Sequence, residues 1–148
     1  LLVDGRLIAK VNPDEVREHA QIIRDKGIKS VVVVGIFSAL DSATPTQEEH
    51  ARSILEECIP GIDVVCSRDM GAGGLVEREN QSILNASVLK HARETIASFE
   101  EAMVKLGLDC PLYLTQNDGT IMSAEIAAKA PIRTFSSGPT VSGRTCTN

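Results

Sequence analysis

Apolar positions along the chain follow two kinds of spacing. Short runs rich in β-branched residues at Val31–Phe37 (VVVVGIF), Ile62–Cys66, Leu112–Thr115 and Ile132–Phe135 predict strands, and stretches with three- and four-residue spacing predict helices. Asn12-Pro13-Asp14-Glu15 reads as a helix start. Asn12 can cap, Pro13 suits the first turn because its missing N–H needs no partner there, and Glu15 can close a capping box. This helix would carry Val16, Ala20, Ile22 and Ile23 inward and stop at Gly27. Thr46-Gln47-Glu48-Glu49 repeats the capping logic and opens a helix through Cys58, ended by Pro60-Gly61. The longest periodic set is Ile83, Leu84, Val88, Ala92, Ile96, Phe99, Met103 and Leu106. It predicts one amphipathic helix from Asn80 to Leu106 with Gly107 as its terminator. Ser123 to Lys129 is expected as a short helix.

Strands alternating with helices indicate an α/β fold, a mixed or parallel sheet flanked by helices. Val31–Phe37 does not alternate and is interrupted only by Gly35, so it is expected to be buried on both faces at the centre of the sheet, with the long helix packed across it. The expected core is Val32, Val34, Ile36, Ile54, Val64, Leu84, Val88, Ile96, Phe99, Leu112, Leu114 and Ile132. No repeat or linker composition divides residues 1–148, which read as one segment. The opening LLVDGRLIAKVNPDE reads as a strand or hairpin entered mid-stream, and SGRTCTN stops just after a turn motif. The chain is therefore expected to be incomplete at both ends.

Composition narrows the function classes. The 148 residues are 43% hydrophobic with a formal net charge of -5, one Tyr, three Phe and no Trp. Neither a basic stripe nor stacking aromatics are present for a nucleic acid, and no run is long enough to span a bilayer. Cys58, Cys66, Cys110 and Cys146 form no Cys-x-x-Cys pair and lie at no metal-site spacing from a histidine. They read as free thiols, Cys66 and Cys110 as core residues, in a cytoplasmic, reducing setting. His19, His50 and His91 are scattered helix residues with no motif joining them, which favours structural roles.

Three loops are candidates for chemistry. Ligands of α/β sheets collect beyond the carboxyl ends of strands, where helix amino ends present free N–H groups. Gln116-Asn117-Asp118-Gly119-Thr120 follows one predicted strand: Gly119 permits a left-handed turn, Thr120 offers a hydroxyl, and Asp118 could hold a metal-bound water or orient a nucleophile. The same residues make an ordinary turn. Ser136-Ser137-Gly138-Pro139-Thr140 follows the next predicted strand as a capped helix start whose amides could face phosphate, and it too could be only a turn. The loop from Arg68 to Glu79 carries three glycines and leads into Glu77, Arg78, Glu79 and Asn80, either a substrate-facing surface or a salt-bridged helix start. The Walker A, dinucleotide and nucleophile-elbow patterns are absent from the sequence.

The ordered combination ERENxxxLNA (from Glu77), LYLTQNDGT (from Leu112) and RTFxSGP (from Arg133), with VVVVGIFSAL before them, resembles the hydantoinase A/oxoprolinase family over Val31 to Gly143. That family includes 5-oxoprolinases, N-methylhydantoinases and subunits of acetone and acetophenone carboxylases. The resemblance implies part of an actin-like, Hsp70-like (ribonuclease H-like) ATPase fold from a protein that opens cyclic amides, 5-oxoproline or hydantoins, using ATP and a divalent cation (Mg). The implied partners are the small cyclic amide and either a homo-oligomer or a second, hydantoinase B-like subunit or domain. Two alternatives stay open, a nucleotide-binding segment of a ketone carboxylase and a noncatalytic structural or interaction domain. The resemblance implies a catalytic role for Asp118, a position near substrate or nucleotide for Gln116, Asn117, Gly119, Thr120, Ser137, Gly138, Pro139 and Thr140, and a structural or substrate loop at Arg78, Glu79 and Asn80. Metal ligands stay unknown. Neither of the Asp-Gly-Gly-Thr-type phosphate loops of the family occurs here, so the isolated chain is expected to bind nucleotide weakly at most and to be inactive.

Overall fold

The structure, a computed structural model, describes residues 6, 8–71 and 73–145. It is a mixed α/β arrangement of helices with one small parallel and one small antiparallel sheet. The chain divides after Ala86 into two compact units. Of the expected entry strand over 1–15, residues 1–5 and 7 lie outside the described residues, and 8–12 run without regular structure into the first helix. Cys146 and the last two residues also lie outside them.

In the first unit α1 spans Pro13–Asp25, and the Asn12 side chain accepts from the Asp14 amide. Glu15 does not close a capping box by reaching a backbone amide. Its carboxylate accepts from the Asn12 side-chain amide at 3.0 Å. α2, Gln47–Cys58, has the full box: the Thr46 hydroxyl accepts from Glu49 N and the Glu49 carboxylate accepts from Thr46 N. α2 packs on α1 and connects β1 (Ser30–Val33) to β2 (Asp63–Cys66), which pair in parallel with Ser30 opposite Asp63 and Val33 opposite Cys66. Ala20, Ala51, Ile54, Leu55, Val65 and Cys66 are buried among these elements.

The central strand expected over Val31–Phe37 is not formed. Only Ser30–Val33 pairs, with β2 alone, and its side chains are half-buried. The run ends at Gly35, whose amide donates to the Glu48 carboxylate at 2.7 Å, and the chain then turns into a 3-10 segment at Ser38–Leu40. A Cβ at Gly35 would lie 3.1 Å from Ser38 Cβ and 3.3 Å from Glu48 Oε1, so the close approach itself calls for glycine.

α3 spans Leu75–Lys105 and begins five residues before the expected Asn80. Its buried positions run Arg78, Ser82, Asn85, Leu89 and Ile96, a stripe at three-, four- and seven-residue spacing whose first half is polar. The expected apolar stripe is only partly right: Ile96 is buried, whereas Leu84 and Phe99 are 53% and 59% exposed. Ile36, at 64%, is likewise on the surface.

In the second unit β3 (Tyr113–Thr115) and β4 (Ile121–Ser123) form an antiparallel hairpin. Leu114 and Met122 stand opposite each other, and Met122 packs in a small core with Ile96, Ala124 and Ala127. β4 was not foreseen from the sequence. α4, Ala124–Lys129, starts from the Ser123 hydroxyl as its cap. The strand expected over Ile132–Phe135 is instead a 3-10 turn at Pro131–Thr134, closed by the Arg133 amide on Ala130 O and by the Thr134 hydroxyl on Pro131 O. Proline at its first position removes the amide a ladder would need. α5, Ser137–Thr145, follows. Cys110, expected in the core, is exposed.

Candidate functional site

The two small-residue loops of the second unit meet, and Asn117 joins them. Residues 116–120 are the turn of the β3–β4 hairpin. Gln116 N donates to Thr120 O at 2.7 Å, and Gly119, at φ 80°, takes the left-handed conformation that turn requires. From this turn the Asn117 amide donates to Arg133 O at 2.7 Å, and its Nδ2 donates to Ile132 O at 2.9 Å. Its Oδ1 accepts from Ser136 N at 2.7 Å, and its carbonyl accepts from the Thr140 hydroxyl at 2.8 Å. All four polar groups of one residue thus hold the hairpin turn against the segment leading into α5. Ser137 and Thr140 are half-buried there, Gly138 and Pro139 are exposed, and space is open beside the Gly138 Cα.

Asp118 turns back on its own loop. Its Oδ1 accepts from Thr120 N at 2.8 Å and from the Thr120 hydroxyl at 2.7 Å, while Gln116 Nε2 donates to that hydroxyl at 2.9 Å. This Asx-type turn fixes where the carboxylate sits on an exposed hairpin tip.

The first unit holds a buried polar hub at the carboxyl ends of its two parallel strands. Glu48, 2% exposed on the first turn of α2, accepts through Oε1 from Gly35 N and from the Ser67 hydroxyl at 2.6 Å, and through Oε2 from Arg68 N at 3.0 Å. Ser67 lies 3.2 Å from the Ser38 hydroxyl and accepts from Arg78 Nε at 3.4 Å. Arg78, 3% exposed, also donates to Gly73 O at 2.9 Å, Gly35 O at 2.7 Å and Ile36 O at 3.1 Å. An anion and a cation therefore share one serine hydroxyl and together hold the two loops that follow β1 and β2. Of the third sequence candidate, Arg78 belongs to this hub, whereas Glu79 and Asn80 are exposed in the first turns of α3.

Sequence reasoning placed Glu48 in a capping motif and missed its buried role. The available signal was an acidic residue at a helix start preceded by a glycine that interrupts an apolar run. A cleft of about 270 Å³ lined by Lys10, Gly35, Phe37, Ser38, Gln47 and Glu48 opens beside the hub. Both Glu48 oxygens already accept protein hydrogens, which leaves the hub a scaffold for that cleft rather than a free base within it. Burial pushes the neighbouring Cys66 thiol up to about 12, and the group is inert as a nucleophile at neutral pH.

A nucleotide and a divalent cation are what the resemblance implies. Among the described residues no group of three or more His, Cys, Asp or Glu side chains could hold a metal ion, and Asp118 Oδ1 is taken up by Thr120. Nor, among the described residues, is any helix long and apolar enough to cross a membrane.

Comparison with known proteins agrees with the ordered motifs. Residues 1–59 match the family model described as hydantoinase/oxoprolinase N-terminal region, and residues 78–144 match the model described as hydantoinase/oxoprolinase. The chain is 25% identical over 137 residues to an uncharacterized protein of Methanocaldococcus jannaschii, covering 92% of this chain and 20% of that protein. Its fold is similar to part of acetone carboxylase, an enzyme of ATP-dependent acetone carboxylation, in the nucleotide-free structure. The TM-score is 0.74 at 23% identity, covering 86% of this chain and 18% of that one. The chain thus spans about a fifth of the length of the relatives it matches. Two matches in sequence order, on either side of the loop that carries Ser67 and Gly73, show homology to the hydantoinase/oxoprolinase family over residues 1–59 and 78–144.

Proposed function

We propose that the protein to which these residues belong is an ATP-dependent hydrolase that couples nucleotide cleavage to the opening of a cyclic amide, 5-oxoproline or a hydantoin. The observation that carries this reading is the consecutive match to the N-terminal and main models of that family. In it, the two units are portions of an actin-like, Hsp70-like nucleotide-handling fold, acting with ATP and magnesium held largely by loops outside residues 1–148. In this reading the clasped turn and the start of α5 offer the nucleotide a surface of small residues, with Asp118 as its charged group. The reading includes a cytoplasmic setting and association with a second copy or with a hydantoinase B-like subunit or domain.

A second reading, a segment of an ATP-dependent ketone carboxylase, is favoured by the fold likeness to acetone carboxylase. Phosphate release by the whole protein should be measured with 5-oxoproline, with hydantoin, and with acetone plus bicarbonate, alongside assay of the organic product. Substrate-dependent phosphate release matched by ring-opened acid is the expected result. Turnover only with acetone and bicarbonate would replace the first reading by the second, and no turnover with any of them would favour a noncatalytic domain.

A further inference from the structure

We infer that Asn117 is a positioning residue, a clasp that sets the amino end of α5 relative to the hairpin turn so that both loops present one fixed surface to a nucleotide. The part that concerns nucleotide rests on the proposed function above; the clasp itself rests on geometry. Within the second unit, four hydrogen bonds of 2.7 to 2.9 Å run from this one residue to Arg133, Ile132, Ser136 and Thr140.

The chemistry of the side chain decides why asparagine fits. Its neighbours on one side are the carbonyl of Ile132, which needs a donor, and on the other the amide of Ser136, which needs an acceptor. A carboxamide supplies both from one planar group, whereas a carboxylate supplies only acceptors and a hydroxyl is too short to span them. The Ser136 amide immediately precedes α5, and Thr140 lies one turn into it. Asn117 therefore fixes where the helix starts and how its first turn is rotated. Asp118, by contrast, accepts from Thr120 N and the Thr120 hydroxyl and braces the turn. Neighbouring residues of one loop have separable tasks, bracing by Asp118 and coupling by Asn117.

The experiment uses the whole protein and two variants, Asn117→Ala and Asn117→Asp, with hydrogen exchange followed peptide by peptide and ATP kinetics measured on the same samples. Asn117→Ala removes the Ser136 acceptor and the Ile132 donor. Exchange over 134–140 should rise roughly tenfold, the effect of losing about one hydrogen bond's net free energy, with β1 and β2 unchanged. The KM for ATP should rise by a similar factor while kcat changes less, because the surface is still present but no longer fixed. Asn117→Asp keeps the acceptor for Ser136 and places an oxygen against Ile132 O, so it should restore slow exchange at Ser136 but not at the Pro131–Thr134 turn. Unchanged exchange over 134–140 in Asn117→Ala would overturn the clasp. So would a fall in kcat at constant KM with a uniform loss of protection, since that pattern marks a generally destabilised fold. If the wild-type protein turns over no ATP, the proposed function fails, and the exchange measurements alone still decide the clasp.

Discussion

Replacing Arg78 with alanine tests whether the buried hub holds the first unit together. The substitution removes donors to Gly35 O, Ile36 O, Gly73 O and the Ser67 hydroxyl. Ile36 and Gly73 are exposed residues, so water can serve their carbonyls. Gly35 and Ser67 lie deeper, and the loss there costs about 1–3 kcal/mol. The Glu48 carboxylate loses the cation that faces it across Ser67. A directly broken buried pair costs about 3–5 kcal/mol, and the intervening hydroxyl places this case below that range. Together these give a loss of about 3 kcal/mol, more than a hundredfold in the population of the opened unit. Arg78→Lys keeps the charge but lacks the planar fork and should lose about half as much.

Cys66 supplies the assay. It is 0% exposed and its thiol donates to Glu48 O at 3.5 Å, so a thiol reagent reaches it only when the unit opens. Labelling of Cys66, read by mass spectrometry with exposed Cys110 as the internal standard, should accelerate roughly a hundredfold in Arg78→Ala and roughly tenfold in Arg78→Lys. A Cys66 rate within about threefold of wild type for Arg78→Ala would refute the hub as a stabilising device, because a threefold change is worth under about 1 kcal/mol.

Three other outcomes are expected. Thr46→Ala removes the acceptor for Glu49 N from a nearly buried cap and should lower stability by about 1 kcal/mol, seen as a shifted urea midpoint at constant m-value. Burial raises the Cys66 thiol from the ordinary 9.0 to about 12, so its contribution is fully present below pH 9 and is lost as pH rises toward 12. Urea midpoints of wild type should therefore fall more steeply over that window than those of Cys66→Ala, and parallel profiles would contradict the assignment. Asp118→Ala removes the acceptor that Thr120 N and the Thr120 hydroxyl share on an exposed turn and should lower stability only slightly, by less than about 1 kcal/mol, while lowering turnover of the whole protein. Normal turnover would leave Asp118 a brace alone.

What could be read from the sequence was mostly what is local. Asn12 and Thr46 marked their helices correctly because a cap and its partner lie within three residues of each other. Composition singled out the 116–120 turn and the Ser136–Thr140 segment separately, and the structure adds Asn117, whose hydrogen bonds join them. The strand at Val31–Phe37 was drawn too long because an apolar run does not reveal where pairing ends, and here Glu48 draws the Gly35 amide away from the ladder. The early start of α3 was hidden by Gly73-Gly74 just before it and by the charged run Glu77-Arg78-Glu79 in its first turns, a composition shared by loops and helix starts. β4 is three residues long, too short for any period to register. The hub was invisible for a different reason: apart from the bond of Arg78 to Gly73 O, five residues away, its contacts join residues 11 to 43 positions apart, and nothing in local pattern distinguishes an arginine that reaches them from one in solvent.

Those separations also bear on the order in which the first unit is assembled. α1 and α2 can form from neighbouring residues, and β1 needs only the α2 crossover to find β2. Arg78 must return across 43 residues to meet Gly35, so its closure entropy is met after the helices and strand pair have already drawn the loops near. Arg78 is therefore expected to act as a late lock, its interactions forming after the folding transition state. Its loss should leave the folding rate almost unchanged and speed unfolding, so that the hub governs how long the first unit stays closed rather than how fast it forms.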